Sequence, residues 1–498
     1  MSVRPFAAVS SLVFLSLAAV ATAEDTTRDS VVHITVSHRQ PNMLQPWTKM
    51  PAQEASGTGF VIEGRRIMTN YHVIQYANQI YVQPHRSADK LPAKLFAFAP
   101  AIDLALLELK DDSFFDARPP LPMAEGLPPV KGPVNVYGYP LGGQQMSVTE
   151  GIISRVDFAP YGVQAVGLMV QIDAALNPGN SGGPAVSDGQ VIGVAFSMNQ
   201  AAENVGYVIP CDEIRMFLAD VADGKYDGKP HLFGMYQTVE NEALRAKLGL
   251  PKGAGGLMVT QPAQTSQSYP LTAGDVITHM GEVAIDADGR VKASADLQLS
   301  FQYLVPKLAR EGKLALTRFR AGQSEPVEVP VAASQPQLVP YLNGAYPRYL
   351  IHGPMVFSTA TKESIMQGGA MRIWQQLFSG IGNSPLLGRL ADPPAFEGEE
   401  LVIVPSPLFT HPIAKGYSHP TGCVVTHVNG TAVKNLVHLV ELLRDCQDEF
   451  VEFRFDRQPM ETLVFRRTEL AAATEEILTD NGIRKPCSDD LRDVWERK

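Results

Sequence analysis

Ser181 lies in Asn177-Pro178-Gly179-Asn180-Ser181-Gly182-Gly183-Pro184, a stretch too broken for a helix and too tight for an ordinary strand. Glycine lets backbone N–H groups approach a ligand closely, because no Cβ stands in the way. A hydroxyl beside such converging donors describes a nucleophile next to an oxyanion hole. Taken alone, the Gly-x-Ser-x-Gly pattern reads first as a glycine-rich surface turn. Two residues upstream change the balance. His72 lies in Met68-Thr69-Asn70-Tyr71-His72-Val73-Ile74, where a strand ends. Asp103 lies in Ala101-Ile102-Asp103-Leu104-Ala105-Leu106-Leu107, an apolar run expected to be buried. A buried carboxylate without a partner is costly, and a positioned imidazole would supply one. The aspartate would then hold the histidine's tautomer while the imidazole moves the serine's proton. The other ten of the eleven histidines read as structural.

The order His72, Asp103, Ser181 matters. In the nucleophile elbow of α/β-hydrolases the histidine follows the serine and a helix follows the nucleophile. Here both partners precede Ser181, and Pro184 makes an immediate helix awkward.

The elements that position these residues read as short strands. Val31–Val36, Gly57–Ile62, Ile67–Thr69, Ile80–Val82, Ala93–Phe98 and Ile102–Leu109 form a first set. After the Pro/Gly-rich connection Pro119–Pro133, a second set comprises Val134–Gly138, Met146–Val156, Leu168–Ile172, Ala185–Val186, Val191–Phe196 and Gly206–Ile209. Many short strands at near-regular spacing read as barrels or sandwiches, here two small barrels packed together. Beyond Pro210, Asp212–Asp220 has helical spacing in Ile214, Phe217 and Leu218, and the polar stretch 223–230 reads as a linker.

At 498 residues the chain is too long for one core and divides into roughly three domains. A composition of 45% apolar and 19% charged residues is that of an ordinary soluble protein. The net charge of -10 argues against a nucleic-acid binder, whose footprint would be basic. Met1-Ser2-Val3-Arg4, an apolar run to Val20 and the Ala21-Thr22-Ala23 exit read as a signal peptide spanning 1–23. The mature chain is then expected to be exported, most simply to a bacterial periplasm and otherwise secreted. No later stretch approaches the ~20 apolar residues of a spanning helix. Cysteines stand at 211, 423, 446 and 487, with no Cys-x-x-Cys. Cys423 and Cys446 are a conceivable pair, although four cysteines in so long a chain point to buried free thiols. No HExxH occurs, so a metal site lacks support.

Gly57-Thr58-Gly59-Phe60, Thr69–Val73, Asp103–Leu107, Gln171–Pro184 and Glu203–Pro210, in that order, resemble the HtrA/Deg family. These are chymotrypsin-fold serine proteases that carry PDZ domains. The resemblance implies a mainly β fold: a two-barrel chymotrypsin-like protease domain at 24–222, then two α+β PDZ-like domains. It makes Ser181 the nucleophile, His72 the general base and then acid, and Asp103 its orienter. The N–H groups of Gly179 and Ser181, with Asn180, would form the oxyanion hole. Digestive relatives carry an aspartate before the serine that pairs with a newly cut N-terminus. Asn180 cannot make that ion pair, so activation is expected from loop ordering. The pocket wall that is acidic in trypsin-like enzymes falls at Ala175, beside Leu176, with Phe196 and Ser197 completing the substrate-binding set. Cleavage after small or medium apolar residues is expected, with Asp173 in a structural role.

The first PDZ domain is expected at 231–336, with a helix near Asp296–Leu304 and a carboxylate-binding loop at Leu232, Phe233 and Gly234. A weak repeat supports a second, at 346–468: Val276–Ile285 echoes Val424–Val433 without a gap. There Leu436, Leu439, Val440 and Leu443 give one apolar helix face. Lys362–Phe378 reads as a further amphipathic helix, Pro385–Glu400 as loop, and 469–498 as a C-terminal extension. This second half resembles the plant-type Deg branch and points to assembly or gating. The implied activity is ATP-independent cleavage of unfolded or damaged proteins, without cofactor, by a homo-oligomer built from trimers. The competing reading is a peptide-binding chaperone or scaffold with a latent protease domain.

Overall fold

The computed structural model describes residues 26–140, 145–161, 164–196, 205–264, 266–366, 384–456 and 461–497. The expected signal peptide, Ser197, and the part of the Lys362–Phe378 helix beyond Met366 lie outside these residues. Two compact units are present. One joins the chain up to His38 with Glu54–Ser334, and the other joins Arg39–Gln53 with Gln335–Lys498.

The first unit opens with two closed six-stranded barrels. β1 (Val31–His38), β2 (Gln53–Ile62), β3 (Arg66–Asn70), β4 (Ala77–Pro84), β5 (Leu91–Ala99) and β6 (Leu104–Leu109) close in the order β1-β2-β3-β6-β5-β4. β7 (Pro133–Gly138), β8 (Ser147–Tyr161), β9 (Ala165–Ile172), β10 (Pro184–Ser187), β11 (Gln190–Phe196) and β12 (Gly206–Pro210) close in the order β10-β11-β12-β9-β8-β7. Every strand expected from β-branched composition is present, because the inward residues of each barrel need that branched bulk. Val32, Ile34, Ile67 and Leu107 are completely or almost completely buried in the first barrel, as are Val134, Val136, Val170 and Ile172 in the second.

A further sheet of the same unit runs Gly234–Thr238, Leu257–Pro262, Val276–Met280, Lys313–Arg320, Gln323–Pro330. Two local expectations change here. The segment near Asp296–Leu304 forms a short strand, Gln298–Ser300, then a 3-10 turn at Phe301–Leu304 and a helical turn at Val305–Leu308. Leu297, Leu299, Phe301 and Tyr303 alternate with polar residues, so period two prevails over the helical reading. The 223–230 stretch is not a free linker. Lys229 is buried in an ion pair with Glu213 at 2.9 Å, and the Asp220 carboxylate accepts the N–H groups of Asp227 and Gly228.

In the second unit, the hairpin Tyr349–His352/Met355–Thr359 extends to Val402–Ile403. A second sheet orders Thr431–Ala432, Val425–Val428, Phe450–Phe455, Leu463–Arg466. The helix Leu436–Arg444 buries Leu436, Leu439, Val440 and Leu443, the face its spacing predicts, and the Asn435 side chain caps it. The sequence repeat is a structural one: His279 pairs with Ala284 and Met280 with Val283, as His427 pairs with Ala432 and Val428 with Thr431. The loop between β1 and β2 also belongs to this unit, where Trp47 packs on Tyr349 and Phe409. The C-terminal extension adds to the hairpin edge: Ser488 N–H donates to Tyr349 O at 2.9 Å and Ile351 N–H to Pro486 O at 2.6 Å. Residues 385–400, expected as loop, contain one helical turn at Pro385–Gly388. None of the four cysteines is in a disulfide, Cys423 and Cys446 included.

Candidate active site

His72 stands in the single helical turn Tyr71–Ile74 that follows β3. Asp103 immediately precedes β6, in the left-handed region at φ 54° rather than within a strand. This conformation is uncommon outside glycine, but aspartate and asparagine tolerate it best. It is held by its own backbone: Asp103 O accepts the Tyr71 N–H at 3.2 Å and the Asn70 Nδ2 at 2.9 Å. The carboxylate is therefore delivered whole to the histidine. Oδ2 lies 2.7 Å from His72 Nδ1, and Oδ1 accepts the His72 backbone N–H at 2.9 Å. Partial burial acts to lower the His72 pKa, but the charge and hydrogen bond of Asp103 outweigh it, and the net shift is upward from 6.5. The imidazole keeps 44% of its side-chain surface open and Asp103 only 15%.

Ser181 lies on the loop between β9 and β10 and is 8% exposed. This loop abuts β2 and the end of β3, the strand that leads into the His72 turn. Gly182, at φ 88°, leaves no space for a Cβ, which would collide with Thr58 O and Thr69 Oγ1. Asn180 O accepts the Gly183 N–H at 3.0 Å, and Gly182 N–H donates to Ala195 O at 2.9 Å. Among the described residues, neither Gly179 N–H nor Ser181 N–H donates to a protein acceptor. Gly179, at φ 101°, is in a region open only to glycine. Asn180 departs from expectation: its N–H is engaged with Asn177 O at 3.0 Å, leaving none to offer an oxyanion. Its side chain is buried, with Oδ1 beside Gly138. Ser181 Oγ makes no hydrogen bond to His72 among the described residues.

The expected pocket residues separate. Leu176 packs on Gly206, where a Cβ would come within 2.7 Å of Leu176 Cγ, while Ala175 is exposed. Phe196 does not present its side chain to a pocket. It is 2% exposed and packs between Tyr161 and Tyr207, at ring-centroid distances of 5.1 and 5.8 Å. Asp173 Oδ1 accepts the Ile152 N–H at 2.6 Å, pinning the pocket loop to β8. In the loop before Gly234–Thr238, the Leu232 side chain is buried in the core. Its carbonyl accepts Gln302 Nε2 at 3.0 Å, and the Phe233 carbonyl accepts Tyr236 OH at 2.8 Å. Among the described residues Gly234 starts an edge strand paired only with Leu257–Pro262, and Met235 beside it is 61% exposed.

Sequence reasoning missed Thr58, whose hydroxyl donates to Gly179 O at 2.8 Å. Among the described residues no group of three or more His, Cys, Asp or Glu side chains is placed to hold a metal ion, and no helix is long and apolar enough to cross a membrane.

Residues 57–194 match the family model for a trypsin-like peptidase domain, and residues 340–490 match that for a PDZ domain. The second match runs well into the expected C-terminal extension. The chain is 32% identical over 473 residues to Protease Do-like 2, chloroplastic, of Arabidopsis thaliana, covering 94% of this chain and 76% of that protein. It is equally similar to Protease Do-like 4, mitochondrial, of the same plant, at 32% identity over 94% of this chain and 86% of the relative. Among solved structures, the HtrA-type protease AlgW with tripeptide superposes with a TM-score of 0.51 at 23% identity, over 64% of this chain and 97% of that one, a likeness of fold. With a trypsin-like domain, a PDZ domain and Do-like relatives matched along nearly its whole length, the chain belongs to the HtrA/Deg family and is a serine-type endopeptidase.

Proposed function

We propose that the chain hydrolyses unfolded or damaged polypeptides, without ATP, through an acyl-enzyme on Ser181. The observation that carries this reading is the 2.7 Å His72–Asp103 bond beside the Ser181 loop. His72 takes the serine proton as Oγ attacks the peptide carbonyl, then returns it to the leaving amine. Asp103 holds the proton on Nδ1, leaves Nε2 as the base, and stabilises the imidazolium formed in between. The unengaged N–H groups of Gly179 and Ser181 receive the developing oxyanion, each worth ~3–4 kcal/mol of barrier. Water releases the acyl group, so no step calls for a cofactor. The signal-peptide pattern of residues 1–23 supports an exported compartment, and the family likeness a homo-oligomer built from trimers.

Labelling of the purified protein with a fluorophosphonate probe, read by intact mass and peptide mapping, tests this. One adduct on Ser181, lost in His72→Ala, is expected. No adduct, with or without unfolded protein added, would favour the chaperone or scaffold reading.

Two further results are expected. Because Asp103 raises the His72 pKa, kcat/KM falls with acid through a limb centred above pH 6.5. The corresponding stabilisation of the charged imidazole is complete below 6.5 and is lost as pH rises through the raised folded pKa. Exposure of the ring keeps that stability term small. Second, Leu176, which packs on Gly206, is assigned to the wall of the specificity pocket, where an apolar side chain suits Val, Ala, Ile or Leu before the cut. Leu176→Ala deepens it, and the ratio of kcat/KM for Phe over Val is expected to rise by roughly 10- to 200-fold. Peptide libraries read by mass spectrometry measure this ratio, and an unchanged profile would remove Leu176 from the pocket.

A further inference from the structure

Four hydrogen bonds converge on Thr58, which is completely buried. Its N–H donates to Ser181 O at 2.9 Å, and its carbonyl accepts Thr69 Oγ1 at 2.8 Å. Its hydroxyl accepts the Tyr139 N–H at 2.9 Å and donates to Gly179 O at 2.8 Å. The Tyr139 bond fills an acceptor site on the oxygen and leaves the hydroxyl hydrogen to Gly179. We propose that the Thr58 hydroxyl is a positioning residue for the oxyanion hole, setting the orientation of the Gly179–Asn180 peptide. This inference rests on the reading of Ser181 as nucleophile and of the Gly179 N–H as an oxyanion donor.

The loop contains three consecutive peptides that matter. The Asn180–Ser181 peptide is held by Asn180 O accepting Gly183 N–H, which directs the Ser181 N–H to the opposite side. The Gly179–Asn180 peptide is held by Asn177 O at its N–H and by Thr58 Oγ1 at its carbonyl. The Pro178–Gly179 peptide, which bears the Gly179 N–H, is free of protein acceptors among the described residues. Its direction follows from the Gly179 dihedrals. Gly179 has no Cβ to resist rotation, so the loop's own sterics do not choose this conformation. The hydroxyl of Thr58 is the side-chain bond that does. Without it, the Gly179 carbonyl is buried and unsatisfied, which is costly enough to drive the peptide toward another partner. That rotation carries the Gly179 N–H away from the oxyanion.

Thr58→Val keeps the shape and removes the hydroxyl, and Thr58→Ser restores the hydroxyl without the methyl. The expected result for Thr58→Val is a kcat about 10- to 100-fold lower, approaching the effect of deleting an oxyanion donor, with KM changed less than about threefold. Thr58→Ser is expected to retain kcat within about threefold of the parent. Hydrogen exchange on the full-length protein, followed in peptides spanning 177–183, is expected to accelerate in Thr58→Val and to stay slow in Thr58→Ser and in Ser181→Ala. A loss confined to KM, or equal loss in both Thr58 variants, overturns the proposal. So does unchanged exchange in Thr58→Val, whatever the activities. An inert parent with accelerated exchange in Thr58→Val would instead overturn the catalytic reading, since the loop would be held but not used.

Discussion

Asp103→Asn is expected to lower kcat by about 10⁴-fold while leaving KM nearly unchanged. The substitution is unusually clean at this position. Asp103 sits at φ 54°, and asparagine is one of the few residues that accepts that region, so the turn before β6 survives. The backbone bonds from Tyr71 N–H and Asn70 Nδ2 to residue 103 O do not involve the side chain and also survive. The amide oxygen can still accept the His72 N–H, in place of Oδ1. What changes is the other contact. An NH2 group facing Nδ1 at 2.7 Å can only donate, which moves the imidazole proton to Nε2 and removes the base from Ser181. The negative charge that holds the His72 pKa above 6.5 is lost as well. The acid limb of kcat/KM should therefore shift to lower pH in the residual activity. Steady-state kinetics from pH 5 to 9 reads both effects. A variant retaining kcat within about tenfold would show that Asp103 only shapes the turn.

The contrast between Asp103 and Thr58 shows which parts of such a site can be read from sequence. A carboxylate in an apolar run announces itself, because burial without a partner is costly and only a few residue types can answer it. A threonine between two glycines can mark a family motif without announcing what its hydroxyl binds. Its bonds reach Gly179 and Tyr139, separated from it by 121 and 81 positions, and no local periodicity encodes them. The barrels were legible because each strand carries its own branched, alternating pattern. Pairing of Trp47 with Tyr349 and Phe409, or of Pro486 with Ile351, involves residues that make no pattern along the chain. Phe196 shows the opposite error. Its position in the family pattern suggests a pocket, but the strand's alternation turns the ring into the core beside Tyr161. In the same way, Asn180 stands where an oxyanion donor was expected, but its N–H closes a turn onto Asn177.

Lys229 is the clearest case of composition misleading, and it carries the largest stability effect expected. Gly- and Lys-rich sequence reads as solvated chain, yet the Lys229 and Glu213 side chains are 7% and 1% exposed. Glu213 is fixed in the first turn of the helix Cys211–Asp220, where its Oε1 also accepts the Leu168 N–H at 2.8 Å. Lys229 Nζ meets both carboxylate oxygens at 2.9 Å and lies 5.4 Å from the centre of the Phe158 ring. Gly167 makes the space, since a Cβ there would sit 2.6 Å from Glu213 Oε1 and 2.7 Å from Lys229 Nζ. The pair therefore ties the segment after the second barrel to β8 and β9. Its net worth against an apolar substitute is small, because both charges are desolvated, but breaking it strands one charge. Lys229→Ala is expected to destabilise the first unit by about 3–5 kcal/mol, read as a lower urea midpoint. The double replacement Glu213→Leu with Lys229→Met should recover most of that loss. If Lys229→Ala leaves the midpoint unchanged, water reaches Glu213 and the pair is a surface contact. If the double variant is as unstable as the single one, the bond to Leu168 N–H is what holds the helix in place.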